Sequence, residues 1–518
     1  MHPLLAQTSS LRYLALVLAA ALVACGSDGD STPQERDATG DPGGGSDTDQ
    51  DVDEDVTTPQ PEGPFYVSFS RQSRLPANTP GMPGEIELVV LSSDCSYNGC
   101  SETVRKVGGG DFSCRSHFCA LSEDLAWVVY ADPNNVGSLR AAQVNAELQL
   151  TGNGQPIASD MVSFQFKGGV VAWRTSDNRI RWHRVADGAS GDLGGINQGG
   201  DVRETGGGYH LATDGRRVVV YSTSLSTMRV TLHNLQSGSS TPVYRFISGS
   251  ATSAGSFYSG DEATVLSDDG EWLAIATTAI VLRNACSGGC AEGLRCIEDA
   301  EPARCGAEQT MIHLIHLPNA NLLGQGCSRD DDCGTGHFCD TSYISQQTQQ
   351  GTCMPGRTIV GPGAGAGCSR HQAGEFTSIL PHLGWIPGGR VAAMAVDTCT
   401  TRNQSQRVSP SALLSVDVAS RSASTVFSVT GTELLGPECL DASFNYRPER
   451  CNVNFTSLSL SPTGTAAVLV GQSVGSSSSD AVWVADLIGG APRRQLENRA
   501  DPGEADAWFV RNVRAHPR

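Results

Sequence analysis

Lysine is almost missing from this chain. Lys106 and Lys167 are the only two among 36 basic residues, and 55 Asp and Glu outnumber them for a net charge of −19. Nucleic-acid phosphates are held by clustered positive charge. No basic cluster occurs here, so DNA and RNA are excluded as partners. Aromatic residues are 6% and charged residues 18%. Past residue 25 nothing approaches the ~20 consecutive apolar residues of a membrane-spanning helix. Helical periodicity is nearly absent, which argues against a helical bundle. There is no P-loop, no HExxH, and no GxGxxG that follows a strand and opens a helix.

Cysteine is plentiful instead, at 17 residues, and that number belongs in an oxidising compartment. The N-terminus agrees. One positive charge, Arg12, precedes an apolar run from Tyr13 to Val23 that is too short to span a bilayer. The run ends in Leu22-Val23-Ala24-Cys25, which resembles the lipobox of bacterial lipoproteins. That resemblance implies a signal peptide over 1–25, lipid on Cys25, and a place in the bacterial cell envelope facing the periplasm or the cell surface. Which membrane holds it stays open. With Cys25 acylated, 16 cysteines remain, an even number for disulfides.

Residues 26–63 hold twelve Asp or Glu against Arg36 alone, amid Gly, Ser, Thr and Pro. Such a segment buries too little apolar surface to order itself, and it reads as an acidic, disordered linker. Its mean span is roughly 35 Å. A calcium-loop register starting at Asp51 fails, because Val56 stands where glycine is needed and Pro59 and Pro61 interrupt the loop.

From residue 64 to 518 short β-rich runs recur between polar turns, as in Val218–Ser222, Trp272–Thr277 and Val391–Val396. The turns are Ser122-Glu123-Asp124, Lys167-Gly168-Gly169, Thr213-Asp214-Gly215, Asp268-Asp269-Gly270, Pro387-Gly388-Gly389 and Ser461-Pro462-Thr463-Gly464, with Ala515-His516-Pro517 as a seventh candidate. The first intervals, 44 and 46 residues from Asp124 to Gly168 to Asp214, match the ~40–45 residues of a four-stranded propeller blade. The longest, 119 residues from Asp269 to Gly388, coincides with nine cysteines. The unit Phe455–Leu496 is similar to blades of TolB-type, WD40-like propellers, with Thr463 in place of the usual Asp in Ser-Pro-Asp-Gly. Where 518 residues alone suggest about three domains, the resemblance implies one all-β, seven-bladed β-propeller. Six or eight blades remain open. The last strand, Trp508–Ala515, has no downstream partners, and Phe65–Ser70, Gly84–Ser92 and Thr103–Val107 have no inner strand upstream. Joining the two ends completes a blade and removes open edges.

Two cysteine-rich insertions are expected, at about 284–309 with Cys286, Cys290, Cys296 and Cys305, and at about 325–368 with Cys327, Cys333, Cys339, Cys353 and Cys368. Neither has zinc-site spacing. The stretch Cys327–Cys339 looks like small disulfide-rich extracellular modules, so cross-links supply what a small core cannot. Nearby pairs elsewhere are Cys95 with Cys100, Cys114 with Cys119, and Cys439 with Cys451, leaving Cys368 and Cys399. Other connectivities remain possible.

Catalytic signatures are weak. Gly471-Gln472-Ser473-Val474-Gly475 fits GxSxG as a string, but no helix follows to make a nucleophile elbow. His313 and His316, three apart in a strand-like run, point to opposite faces and cannot share a metal. His210, His382 and His516 fall near inner-strand positions and are candidates for lining a central channel. No cofactor is indicated. The reading that follows is a lipid-anchored, non-enzymatic propeller scaffold for a protein or glycan partner. The alternative is a propeller-class hydrolase or lactonase with a metal in the channel.

Overall fold

In a computed structural model of the protein the residues described are 64–73, 86–93, 104–196, 204–224, 227–247, 252–253, 264–290, 295–297, 304–341, 350–362, 378–396, 411–429, 453–473, 480–487, 494–495 and 508–518. The leader, Cys25, the acidic linker, the calcium-like run, and Cys95, Cys100, Cys368, Cys399, Cys439 and Cys451 lie outside them.

The described residues form seven antiparallel sheets, the blades of a seven-bladed β-propeller. Blades 1 to 6 begin with innermost strands Cys119–Leu121, Met161–Lys167, Glu204–Leu211, Thr264–Leu266, Ser378–Ile386 and Val453–Leu460. Blade 7 is composite. Trp508–His516 is its innermost strand, and Tyr66–Ser73, Ile86–Ser92 and Arg105–Lys106 complete it. Tyr66 pairs with His516 and Ser73 with Trp508, close to the expected ranges. The 119-residue interval is one enlarged blade, an eight-stranded sheet within Thr252–Pro362.

Strand alternation explains how flat sheets become a ring. Both faces of each sheet are apolar, so successive side chains enter the cores on either side. In blade 3, Val218 and Val220 pack with Ala172 and Ile180 of blade 2. Val219 and Tyr221 pack with Leu273 and Ile275 of blade 4. In blade 4, Ala274 and Ala276 turn the other way, onto Val391 and Ala393 of blade 5. Further cores join blades 5 and 6, 6 and 7, 7 and 1 and 1 and 2, so the circuit closes.

Side chains add bonds where neighbouring innermost strands are not paired. Buried Gln165 of blade 2 donates to the Tyr209 carbonyl of blade 3 at 3.1 Å and accepts from the Leu211 N–H at 2.8 Å. Within blade 7, across the paired strands Tyr66–Ser73 and Trp508–His516, the Ser68 hydroxyl also lies 2.6 Å from His516 Nε2, joining residues 448 apart in sequence.

The inner hairpins share a local device. The Ser122 hydroxyl donates to Asp124 at 2.5 Å and accepts from the Trp127 N–H at 2.9 Å. Ser267 does the same with Asp269 and Trp272, at 2.5 and 2.9 Å. Ser461 accepts from the Ala466 N–H at 3.0 Å, although Thr463 offers no carboxylate. These side chains satisfy turn groups that strand pairing leaves over, the Asx- and ST-type bonding of polar turns.

Deleting residues 508–518 will expose the core lined by Val67 and Phe69, both 0% exposed, and lose Val510 and Val513, at ~1.5–3 kcal/mol per buried side chain. The expected result is loss of the cooperative thermal transition in circular dichroism, with association through the uncovered strand seen by light scattering. A truncated chain that stays monomeric and melts like the parent would refute ring closure by this strand.

Candidate functional site

A ring of alternating hairpins has two unlike ends. At one, which we call the hairpin end, lie the tight turns that follow the innermost strands. At the other, the loop end, the second strand turns into the third and one blade passes to the next. Tyr66 pairs with the last residue of the closing strand, so the chain enters the ring at the hairpin end.

The turns there touch in series. Glu123 accepts from the Gly168 N–H at 3.0 Å, linking blades 1 and 2. Gly168 and Gly215 carry φ of 53° and 63°, and a Cβ on Gly168 would lie 2.4 Å from the Gly215 nitrogen. Only glycine permits that approach of blades 2 and 3. The Thr213 hydroxyl donates to Asp268 at 2.9 Å and Arg217 donates to the Asp268 carbonyl at 3.0 Å, linking blades 3 and 4.

Blade 4 carries both insertions, and they leave from opposite ends. Its second and third strands are Trp272–Ala285 and Arg304–His316, 14 and 13 residues long. The second pairs with Thr264 at Ile275 and then continues to Ala285, some 30 Å of extended chain. At that loop-end tip, Arg295–Ile297 pairs with the third strand, and disulfides join Cys286 to Cys296 and Cys290 to Cys305. The second insertion follows His316 at the hairpin end. Its disulfides are Cys327–Cys339 and Cys333–Cys353, and all four cysteines are buried together. Both sets interleave, an arrangement that spacing left open. Cys114 and Cys119 are joined, the pairing their spacing suggested.

The catalytic strings and histidines fall into structural places. Gly471, Gln472 and Ser473 belong to the strand Ala466–Ser473, paired on both sides, so Ser473 sits in a ladder rather than on a strand-to-helix turn. Val474 and Gly475 lie outside the described residues, as does the His382 side chain. His210 and His516 do not line an open channel: they are 4% and 1% exposed, because innermost-strand side chains turn into the spaces between blades. The His316 ring lies tilted against Trp272, 4.8 Å between centres, and accepts from Asn319 at 3.0 Å, while His313 pairs across the ladder with Arg357 and Ile275.

Sequence reading missed His337, at 1% exposure. Its Nδ1 donates to the Cys333 carbonyl at 3.2 Å, and its Nε2 accepts from the His316 N–H at 3.1 Å. No spacing signal marks it, because its partners are backbone atoms.

One polar cluster outside the insertions looks chemical. In blade 1 the Tyr130 hydroxyl donates to Asp111, whose other oxygen accepts from Arg140 at 2.7 Å. Arg140 also donates to Asp132 at 2.7 Å and the Gly154 carbonyl at 2.6 Å. Burial, reinforced by the bond to Asp111, holds the Tyr130 phenol above its usual range. Burial alone would raise Asp111, but bonds from Tyr130 and Gly154 and the Arg140 charge outweigh it and hold the carboxyl low. A phenol kept protonated beside a fully engaged carboxylate fastens a loop and supplies neither base nor nucleophile. Among the described residues, the groups close enough to share a metal ion are Cys286 with Cys290 and Cys305, and Cys327 with Cys333 and Cys353. All six are consumed in disulfides.

No protein-family model matches the chain, and no curated protein sequence matches it. Similar solved structures include TolB from Acinetobacter baumannii, at 10% identity and TM-score 0.33 over 88% of this chain and 67% of that one. A putative dipeptidyl aminopeptidase IV from Bacteroides ovatus gives 11% and 0.38 over 81% of this chain, which spans about half (51%) of its length. A putative 6-phosphogluconolactonase from Bacteroides uniformis gives 12% and 0.39 over 86% and 99%. At these values nothing about activity or partners passes to this chain, and the ring rests on its own strand pairing.

Four histidines, His337 and His516 buried and His117 and His313 partly buried, set an acid limit. His117, His313, His337 and His516 are each pushed down to about 4 from an ordinary 6.5. Burial is the main cause, with Arg511, Arg357, His316 and Arg421, and Arg514 respectively adding to it. Between those values the unfolded chain takes up protons that the folded chain refuses, so stability is full above 6.5 and falls as pH drops toward 4. For His516 alone the loss approaches about 3 kcal/mol at pH 4. Thermal melts from pH 7.5 to 4 will therefore show a falling midpoint, and His516→Gln will flatten that fall. A midpoint indifferent to pH over this window would contradict rings held neutral by the fold.

Proposed function

We propose that this protein is a non-enzymatic binding scaffold, held to a bacterial envelope by lipid on Cys25, whose blade 4 tip engages a protein or glycan partner. The observation that carries this reading is the separation of the two insertions. The chain enters at the hairpin end, where the second insertion is packed against the ring, whereas the Cys286–Cys305 tip leaves from the loop end on strands of 14 and 13 residues. The acidic linker 26–63 supplies reach, roughly 35 Å, between the lipid and the ring. Loops converging at one end of a rigid scaffold are where binding surfaces commonly form.

Two deletions test the division. Removing residues 286–305 takes out both tip cystines together and leaves 283–285 to turn between the paired Leu282 and Gly306, and removing 328–350 takes out the packed insertion. In pull-downs from envelope extracts, the first deletion is expected to lose the partners of the full chain. Equal recovery by the full chain and the tip deletion would eliminate the tip as a recognition element. For the anchor, Cys25→Ser should move the protein from the membrane fraction to the soluble one and abolish incorporation of a palmitate label. Retention in the membrane fraction by that variant would count against the lipid.

A further inference from the structure

The second insertion is small, and its buried cluster consists of Cys327, Cys333, Cys339 and Cys353. Two short strands, Gly326–Cys327 and His337–Asp340, pair with the start of the fourth strand of blade 4, Gly351–Pro362. Its acidic turn is spent on its own backbone. Asp330 accepts from the Cys339 N–H at 2.8 Å, and Asp332 accepts from the N–H groups of Ser328 at 2.8 Å and Arg329 at 3.2 Å. With no aliphatic core of its own, its order depends on the two cystines.

The insertion nevertheless reaches three blades. On blade 4, His337 accepts from the His316 N–H, and Gly336, at φ 79°, leaves room where a Cβ would lie 2.3 Å from the Trp272 ring. Toward blade 3, Phe338 joins the core of Val219, Tyr221 and Val243, beside Leu317, Ala320 and Leu323 of the segment that leads into the insertion. The Phe338 ring has the guanidinium of Arg357, from blade 4's own fourth strand, 5.0 Å from its centre and, toward blade 5, that of Arg421 at 5.8 Å. Arg421 belongs to the outer turn of blade 5 and adopts φ 59°, a left-handed conformation that costs a non-glycine residue energy unless neighbours hold it. Its neighbours do hold it. Arg421 donates to the His337 carbonyl at 3.4 Å, and its own carbonyl accepts from the buried Thr358 hydroxyl at 3.0 Å.

We infer that the Cys327–Cys353 insertion is an oxidation-dependent strap that clamps blades 3, 4 and 5 at the hairpin end. The device does not depend on the scaffold reading. A dithiol reductant that attacks Cys327–Cys339 or Cys333–Cys353 delivers two electrons and two protons per cystine, leaves two thiols, and is itself converted to a disulfide. The insertion then loses its cross-links, His337 and Phe338 leave their places, and the Arg421 turn loses its support. Blades 1 and 2, which the strap does not touch, keep theirs.

Hydrogen exchange on the full chain, read by mass spectrometry, tests this. In a variant with Cys327→Ser, Cys333→Ser, Cys339→Ser and Cys353→Ser, the amides of residues 418–422 should exchange at least roughly tenfold faster, with those of 128–142 unchanged. Unchanged exchange at 418–422 in a variant whose insertion exchanges freely would overturn the strap. Should that variant unfold as a whole, Phe338→Ala decides, since it keeps both cystines. Faster exchange confined to 418–422 and 235–243 supports the clamp, and exchange like the parent's overturns it.

Discussion

Everything in this molecule depends on one strand pairing, that of Trp508–His516 with Tyr66–Ser73. The Ser68–His516 bond within it joins residues 448 apart, and closing a chain of that length costs on the order of 5 kcal/mol in conformational entropy. No single contact offsets this. What offsets it is that blade 7 fills two cores at once. Val67, Phe69, Val89 and Leu91 face blade 6, while Leu88, Val90 and Val107 face blade 1. The strand is therefore a keystone: without it the core between blades 6 and 7 loses Val510 and Val513, and the ring loses its closure.

Radial order and circumferential order have different physical sources. Within a blade, backbone hydrogen bonds run outward from strand to strand. Between blades there are few of these, and apolar burial supplies most of the attraction, supplemented by single polar side chains such as Gln165 bonding to Tyr209 and Leu211. The turns at the hairpin end add a third kind of contact. Gly168 meets Gly215 there at backbone distance, a closeness that any side chain would forbid.

Much of the ring was legible in the sequence because strands and hairpins are local. Alternation marked Val218–Ser222 and Trp272–Thr277, and Ser-x-Asp or Gly-Gly pairs marked the inner turns. The composite blade followed from counting, since Trp508–Ala515 had nothing after it. The fate of the long interval was legible only as an anomaly: one blade with elongated strands and one with hidden strands look alike until pairing is known. The cystine order was not legible, because interleaved and nested connectivities have the same spacings. His516 was legible as an innermost-strand residue, but its surroundings were not. Strand position fixes the ladder, but whether a side chain meets a channel or a neighbouring blade depends on the curvature of the whole ring. His337 and Arg421 were invisible for a related reason, since each binds backbone atoms of residues remote in sequence.

Blade 4 shows how such a ring accommodates novelty. The ring's circumference is counted in sheets, and each sheet meets its neighbours mainly through the middle of its inner strands. Material added along the strand axis, as in Trp272–Ala285, or beyond the third strand, as in the segment after His316, leaves that circumference unchanged. Length and radius are thus independent coordinates of the architecture. One sector can be remodelled at either rim, each independently of the other, while the other six keep the dimensions they need to close.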